Sequence, residues 1–478
     1  VLAGVVLAIG AGLYGRTTYE ALTEPEIVNY SEGIVLHAAE RALAGAPLWG
    51  DLRQAPYDYS AYPPLFTVLA GALCGIFGVH LAVVRALAAV AYALALAVAG
   101  RIASRESGHA WAGLAAVGLG LGVTSAHPFA AIARVDALEI LFGLIALDRV
   151  LALERRDAAR PRVTAFAAIV AMVLCALTKW TGLAPFVGIA LWRAWRARSV
   201  RDPALAAVLG GVLASLAAFA IGHVWTGGAL TQQVFFDQAR SGTILRAFVV
   251  VNYVAYQLGP IALALWTVRR GLAHAAASAL ASSLVWMALS QLKDGADHNY
   301  ALGPIALTMA IAGAGLPALR DELVRARPTR RVWAEPVLAV FAVVSMGLAS
   351  LQTSHLEERG PRWRADHAAL HARLAAVDTG PILAEEPFYA RRHGLASWLT
   401  DPCHFQILAR HGALSADPLR AALREGRIRW VLRGDVLGGV PGLDAILADH
   451  FDEVFRTEGP ITTGPLSLHR YRDLTPPE

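Results

Sequence analysis

The chain has 478 residues, 56% hydrophobic and only 17% charged, and a mean hydropathy of +0.47; a soluble globular protein carries roughly 25% charge, so the composition argues against a soluble enzyme. The formal net charge is +5, but Lys and Arg lie between apolar runs rather than on one soluble face, which argues against a nucleic-acid binder. Three cysteines, Cys74, Cys175 and Cys403, are too few and too scattered for a disulfide framework.

Apolar runs lie near residues 1–14, 64–79, 82–100, 109–126, 135–153, 163–178, 180–192, 204–226, 247–268, 271–292, 300–319 and 332–351. The first, Val1 to Tyr14, reads as a trimmed first helix rather than a cleaved signal peptide. The run at 64–79 opens on Pro63-Pro64, carries Gly71, Gly75 and Gly78, and is short for a span of about 20 residues. It is expected to be re-entrant or interfacial. With the other runs crossing, 17 basic loop residues, Arg101, Arg155 and Arg193 among them, fall inside, against 6 outside, as the positive-inside rule requires.

The expected architecture is therefore an α-helical polytopic membrane protein with about 11 transmembrane helices, in the cytoplasmic (inner) membrane, its N-terminus cytoplasmic. Residues 1–352 would form the membrane domain, with a first outer loop at about 16–65. Residues 353–478 would form a small extracytoplasmic α/β domain. Its strand-like runs are Pro381-Ile-Leu-Ala, Arg429-Trp-Val-Leu and Leu466-Ser-Leu-His-Arg-Tyr, with helix-like stretches at Trp363 to Val377 and Asp417 to Glu425. No nucleotide-binding glycine loop is present in it.

Chemistry is expected on the outer side. The first loop carries Glu24, Glu26 and Glu32 before an amphipathic helix that ends at Gly45 and Pro47. A carboxylate there could deprotonate an acceptor hydroxyl; the plainer reading is a solvated acidic helix start. Arg134-Val-Asp136, with Glu139 one turn later, sits where a loop becomes a span, a position at which ionisable groups are functional candidates. Lys179 in Thr178-Lys-Trp stands at the next outer turn, where it could neutralise a lipid phosphate or simply snorkel. The last outer turn, Lys293-Asp-Gly-Ala-Asp-His-Asn-Tyr300, packs charge and amide together but lacks the spacing of a metal site.

Taken in order, these motifs resemble the membrane glycosyltransferases of the GT-C class, family 39 type, related to protein mannosyltransferases and lipid A aminoarabinose transferases. Ser31-Glu32-Gly33 followed by Gly45 is similar to the family's Asp-Glu pair with its helix and glycine. Tyr62-Pro-Pro-Leu65 is similar to Lys-Pro-Pro-Leu, Arg134-Val-Asp136 to the second acidic motif, Thr178-Lys-Trp to Thr-Lys-Gly, and Asn299-Tyr-Ala-Leu-Gly-Pro304 to Arg-Tyr-Leu-Pro. Two positions depart: Ser31 stands where the family has its aspartate, and Tyr62 where many relatives have lysine.

The resemblance implies transfer of a hexosyl or pentosyl group, with inversion, from a polyprenyl-phosphate sugar to a hydroxyl on an envelope glycan, lipid or protein. Glu32 would be the base, with Asp136 sharing or orienting and Glu26 or Glu24 as substitutes. Tyr62, Arg134, Lys179, Lys293, His298, Asn299 and Tyr300 would hold phosphate or sugar. No cofactor is implied, and a divalent metal is left open. The partners would be the donor, the acceptor and membrane lipids, with no nucleic acid. The rival reading is a lipid or solute transporter, although paired internal repeats are not evident.

Overall fold

Backbone polar groups in hydrocarbon must be satisfied within their own segment, so the apolar runs become helices. A computed structural model describes residues 2–51, 57–125, 128–197, 202–237, 254, 257–292, 298–326, 331–350, 361–377, 380–457 and 465–472. Its helices are α1 (Leu2–Thr23), α2 (Tyr30–Leu43), α3 (Pro64–Phe77), α4 (Leu81–Ser107), α5 (Ala110–Thr124), α6 (Asp136–Glu154), α7 (Pro161–Thr178), α8 (Ala184–Ala197), α9 (Pro203–Trp225), α10 (Leu258–Arg269), α11 (His274–Ser290), α12 (Leu302–Ala326) and α13 (Arg331–Ser350). Among the described residues, four segments are long and apolar enough to cross a membrane by length and composition alone: α4, α7, α9 and Asn299–Arg325, which contains α12. The chain is a multi-pass membrane protein.

Glycines let these helices approach closely, as in other membrane bundles. A Cβ on Gly118 of α5 would lie 2.5 Å from the Leu7 backbone of α1, and one on Gly188 of α8 would lie 2.0 Å from the Ser278 carbonyl of α11.

Charge separates the two ends of the bundle. At one end Arg105 pairs with Asp148, Arg155 with Glu106, Arg193 with Glu154 and Asp202, and Arg270 with Glu322. The other end gathers the loop after α1, the start of α6 and the end of α7. Helix α3 begins and finishes at this second end. Tyr62, just before it, meets Arg134, and Val79 to Ala82, just after it, line a cavity with Thr23 to Pro25. Its 14 residues are about 21 Å long, short of the roughly 30 Å hydrocarbon core.

One boundary differs from the sequence reading: α1 continues to Thr23, so the first loop starts at residue 24 and not near 16. The charged residues taken as its end extend it, because Arg16 Nε donates to Glu20 Oε1 at 2.8 Å, one turn along.

Beyond residue 360 come α14 (Pro361–Ala375), β1 (Ile382–Ala384), α15 (Pro387–Arg392), α16 (Pro402–Arg410), α17 (Asp417–Arg424), β2 (Trp430–Arg433), α18 (Asp435–Gly438), α19 (Leu443–His450), β3 (Phe451–Arg456) and β4 (Ser467–Tyr471). The strands form a sheet in the order β1-β2-β4-β3. β1 lies parallel to β2, Leu383 opposite Val431, while β4 is antiparallel to both β2 and β3. This segment has its own apolar core around Phe405, Leu419, Val431 and Leu443, and Tyr57 of the first loop joins it. Tyr57 bridges Leu399 as a strand partner, and Tyr59 N–H donates to Thr400 Oγ1 at 2.9 Å. The sheet-bearing segment thus clasps the loop that leads into α3.

Candidate active site

Helix α6 opens on Asp136 after a buried turn, Phe129 to Val135. A carboxylate at a helix N-terminus is favoured by the helix dipole, and this one is also ringed by donors. Lys179, where α7 breaks off in extended conformation, sends Nζ to Asp136 Oδ1 at 2.6 Å. Asn299 Nδ2 donates to the same oxygen at 2.7 Å. Arg134 Nε donates to Oδ2 at 3.2 Å, and its Nη2 donates to the Tyr62 hydroxyl at 3.4 Å. The Lys179 ammonium also lies 4.1 Å above the Tyr300 ring, a cation–π contact strengthened by burial. Burial pushes the Tyr62 phenol above its usual range, against the pull of Arg134.

Six of the residues expected from the sequence, Tyr62, Arg134, Asp136, Lys179, Asn299 and Tyr300, therefore meet around one carboxylate. They come from four separate stretches of chain. Lys293 and the His298 side chain lie outside the described residues.

A cavity of about 70 Å³ leads away from this cluster. Its polar head is Asp136, Glu139, Lys179, Thr181 and Asn299. Ile140, Gly143, Leu144 and Leu147 continue it down one face of α6, against Trp286 and Met287 of α11 and Leu307 of α12. Glu139 Oε1 accepts from the Thr181 hydroxyl at 2.9 Å, and its Oε2 lies 4.0 Å from Lys179 Nζ. Trp286 Nε1 and Asn299 Oδ1 are buried with no hydrogen-bond partner among the described residues. Buried polar atoms left unmatched are costly, and a ligand in this cavity would satisfy them.

Glu32, expected as the base, is placed differently. Its side chain is fully buried. Oε1 accepts from Arg85 Nε at 2.7 Å and Ala133 N–H at 2.8 Å, while Oε2 accepts from Arg85 Nη2 at 2.7 Å and Val28 N–H at 2.7 Å. Burial alone would raise this carboxyl, but Arg85 and the two amides outweigh it and hold it below its ordinary value. With four donors on two oxygens, Glu32 is a poor proton acceptor. It ties α2 to α4 and to the turn that ends in Arg134.

Glu26 also faces elsewhere. It meets His371 Nε2 of α14 at 3.1 Å and Arg392 Nη1 of α15 at 2.6 Å. Glu24 accepts from the Glu26 backbone at 3.1 Å. Ser31 donates to the Asn29 side chain at 2.6 Å in the cap of α2.

Sequence reasoning missed Arg85 as the partner of Glu32, and Thr181 and Trp286 as cavity lining. The signal for Arg85 was present: a lone charge within an apolar run needs a buried partner. Among the described residues no group of three or more His, Cys, Asp or Glu is arranged to hold a metal ion. Beside Asp136 Oδ1, the place a cation would take is held by the Lys179 ammonium, so this donor set does not fit one.

No protein-family model matches the sequence, and no curated protein matches it. Solved structures do. ArnT from Cupriavidus metallidurans in the apo state matches over 100% of both chains, with a TM-score of 0.69 and 16% identity. The same protein bound to undecaprenyl phosphate matches over 99% of both chains, at 0.65 and 16%. The apo oligosaccharyltransferase of Archaeoglobus fulgidus matches over 100% of this chain and 74% of that one, at 0.60 and 13%. The fold is that of the GT-C membrane glycosyltransferases.

Proposed function

We propose that this chain transfers a sugar from a polyprenyl-phosphate-linked donor to a hydroxyl on a glycan, lipid or protein acceptor, at the outer face of the cytoplasmic membrane. The observation that carries this reading is the shape and chemistry of the α6 cavity. Lys179 stands with Asp136 and Asn299 at one end, Arg134 adds a second cation on the other oxygen of Asp136, and an apolar groove leaves from the other end. A phosphate joined to an isoprenoid chain has this same polar-to-apolar sequence, and ArnT, which has this fold, binds undecaprenyl phosphate. The groove along α6, from Asp136 to Leu147, is about 16 Å long.

In the reaction we propose, the acceptor oxygen attacks the anomeric carbon in line as the bond from that carbon to the phosphate oxygen breaks, inverting the centre. Asp136 Oδ2 takes the acceptor's proton. It is the better-placed carboxylate, since Asp136 lines the cavity and its Oδ2 accepts from Arg134 Nε at a long 3.2 Å, whereas Glu32 does not line it and both its oxygens are doubly engaged. Lys179 and Arg134 stabilise the charge that develops on the departing lipid phosphate, a preorganised electrostatic role. Glu139 and Thr181 orient the sugar, and Trp286 Nε1 donates to it. The sheet-bearing segment beyond residue 352 serves the acceptor side as an extracytoplasmic domain, and eleven helices cross the membrane.

The test is transfer of label from a panel of polyprenyl-phosphate sugars to envelope extracts, using membranes that contain the intact chain or a variant. Asp136→Asn is expected to lower turnover by about 10²–10⁴ with donor binding retained. Lys179→Met is expected to weaken donor binding. Full turnover by Asp136→Asn would remove it as the base, and no transfer from any donor by a folded protein would sink the reading.

A further inference from the structure

A second cavity, of about 420 Å³, falls within the 300–1,000 Å³ range of small-ligand sites. It shares no lining residue with the cavity at Asp136. The Glu32–Arg85 pair stands between them: Gly33 and Leu81 line the second cavity, one residue from Glu32 and one turn from Arg85.

Its walls carry both signs of charge. Arg391 and Arg392 project from α15, and Glu24 and Glu40 face them from the first loop and α2. Arg391 Nη2 lies 2.9 Å from Glu40 Oε2, and Arg392 Nη1 lies 2.6 Å from Glu26 Oε1. Burial pulls the Arg391 guanidinium down to about 10 and raises the Glu40 carboxyl, so both charged walls are partly withdrawn from water. Two cations against two anions give a formally neutral lining, which favours neither a net anion nor a net cation. A zwitterion would complement both walls, its phosphate taking charge-assisted hydrogen bonds from arginine and its ammonium donating to carboxylate.

The rim is apolar and adjoins lipid. Helix α3 returns to the end of the bundle from which it starts, and it exposes Val68, Leu69, Ile76 and Phe77 along one side. Val79, which lines the cavity, is 37% exposed and continues that stripe. Exposed apolar surface of this extent, in a membrane protein, is the place for acyl chains.

We propose that this cavity holds the headgroup of a phosphoethanolamine-type lipid, its phosphate on Arg391 and Arg392, its primary ammonium on Glu40 and Glu24, and its acyl chains along α3. The site rests on the chain's being a membrane protein and is independent of the transfer reaction. A bound headgroup would join the first loop to α15, and so hold the sheet-bearing segment against the bundle.

The experiment is native mass spectrometry of the full chain, delipidated in detergent and then offered phosphatidylethanolamine, phosphatidylglycerol, phosphatidylcholine or soluble phosphoethanolamine. Retention of phosphatidylethanolamine about tenfold above the other two lipids is expected, the size of one charged hydrogen bond. Glu40→Gln is expected to erase its advantage over phosphatidylglycerol. Arg391→Gln is expected to release both, and Arg391→Lys, which keeps the ion pair and the fold, to retain phosphatidylethanolamine. Equal retention of all three lipids, or an undiminished preference in Glu40→Gln, would overturn the proposal. Binding of soluble phosphoethanolamine as tight as the lipid's would overturn the lipid source. Undecaprenyl phosphate binding, measured alongside, should be unchanged by Glu40→Gln; its absence from every sample would count against the transferase reading and leave the headgroup site standing.

Discussion

The two buried carboxylates at this end of the bundle, Glu32 and Asp136, show how partners decide a residue's role. Both are charged and almost inaccessible. Asp136 borders a cavity with two unmatched polar atoms on its wall, whereas Glu32 is enclosed by Arg85 and two backbone amides. Removing one member of a buried ion pair leaves the other charge uncompensated and costs about 3–5 kcal/mol. Glu32→Gln is accordingly expected to lower the thermal midpoint in detergent, and the double variant Glu32→Gln, Arg85→Met to recover part of the loss. A Glu32→Gln protein with unchanged melting but no transfer would instead restore Glu32 as the base. The cluster at Asp136 was legible in the sequence because each member sits where a loop meets an apolar run. The Glu32–Arg85 pair was not, since it joins residues 53 positions apart and only packing brings α2 against α4.

At the scale of elements, the contact between the first loop and α14–α15 is built from titratable groups. Glu26 meets His371 and Arg392, His371 Nδ1 meets His393 Nε2 at 2.8 Å, and His367 Nε2 meets the Tyr389 hydroxyl at 2.9 Å. Burial holds His367 and His393 below the ordinary imidazole value of 6.5. Burial would raise Glu26, but His371 and Arg392 outweigh it and hold it below 4.5. The undocked loop therefore binds more protons than the docked one below pH 6.5, through the histidines, and again below 4.5, through Glu26. Both effects run the same way, so docking is strongest above pH 6.5 and weakens as pH falls. Hydrogen exchange of residues 361–392 is expected to speed up between pH 7 and 5, after correction for intrinsic rates; exchange that slows would contradict this. The elements themselves were unequally legible. β1, β2 and β4 follow from their apolar runs, and α14 and α17 from their periodicity. β3 was missed because Phe451-Asp-Glu-Val-Phe-Arg buries only its first residue and pairs on one side, with β4, so no alternation marks it.

For the whole molecule, the distribution of charge and the alternation of helices constrain each other. Among the described residues, the basic residues assigned to the inner loops from sequence gather at one end of the bundle, where acids at the ends of α4, α6 and α12 and at the start of α9 neutralise part of them. The Asp136 cluster lies at the opposite end. The first loop shares that end only if α3 does not cross, because a crossing there would carry Asp136 and Lys179 to the end opposite Tyr62 and Glu32, which the Arg134–Tyr62 and Ala133–Glu32 hydrogen bonds forbid. By the positive-inside rule the excess of arginine would set the orientation, and the proposed function accordingly has the cluster face outward. A Cys403→Ser background removes the half-buried native thiol and leaves Cys74 and Cys175, both buried. On intact cells, a membrane-impermeant maleimide is expected to label Glu425→Cys, exposed after α17, at once. Asp157→Cys, exposed at the basic end after α6, should react only after permeabilisation. The reverse pattern would turn the Asp136 cluster toward the cytoplasm, where a nucleotide-linked sugar is at hand and a flipped lipid-linked donor has no advantage. Orientation therefore tests the donor class as well as the topology.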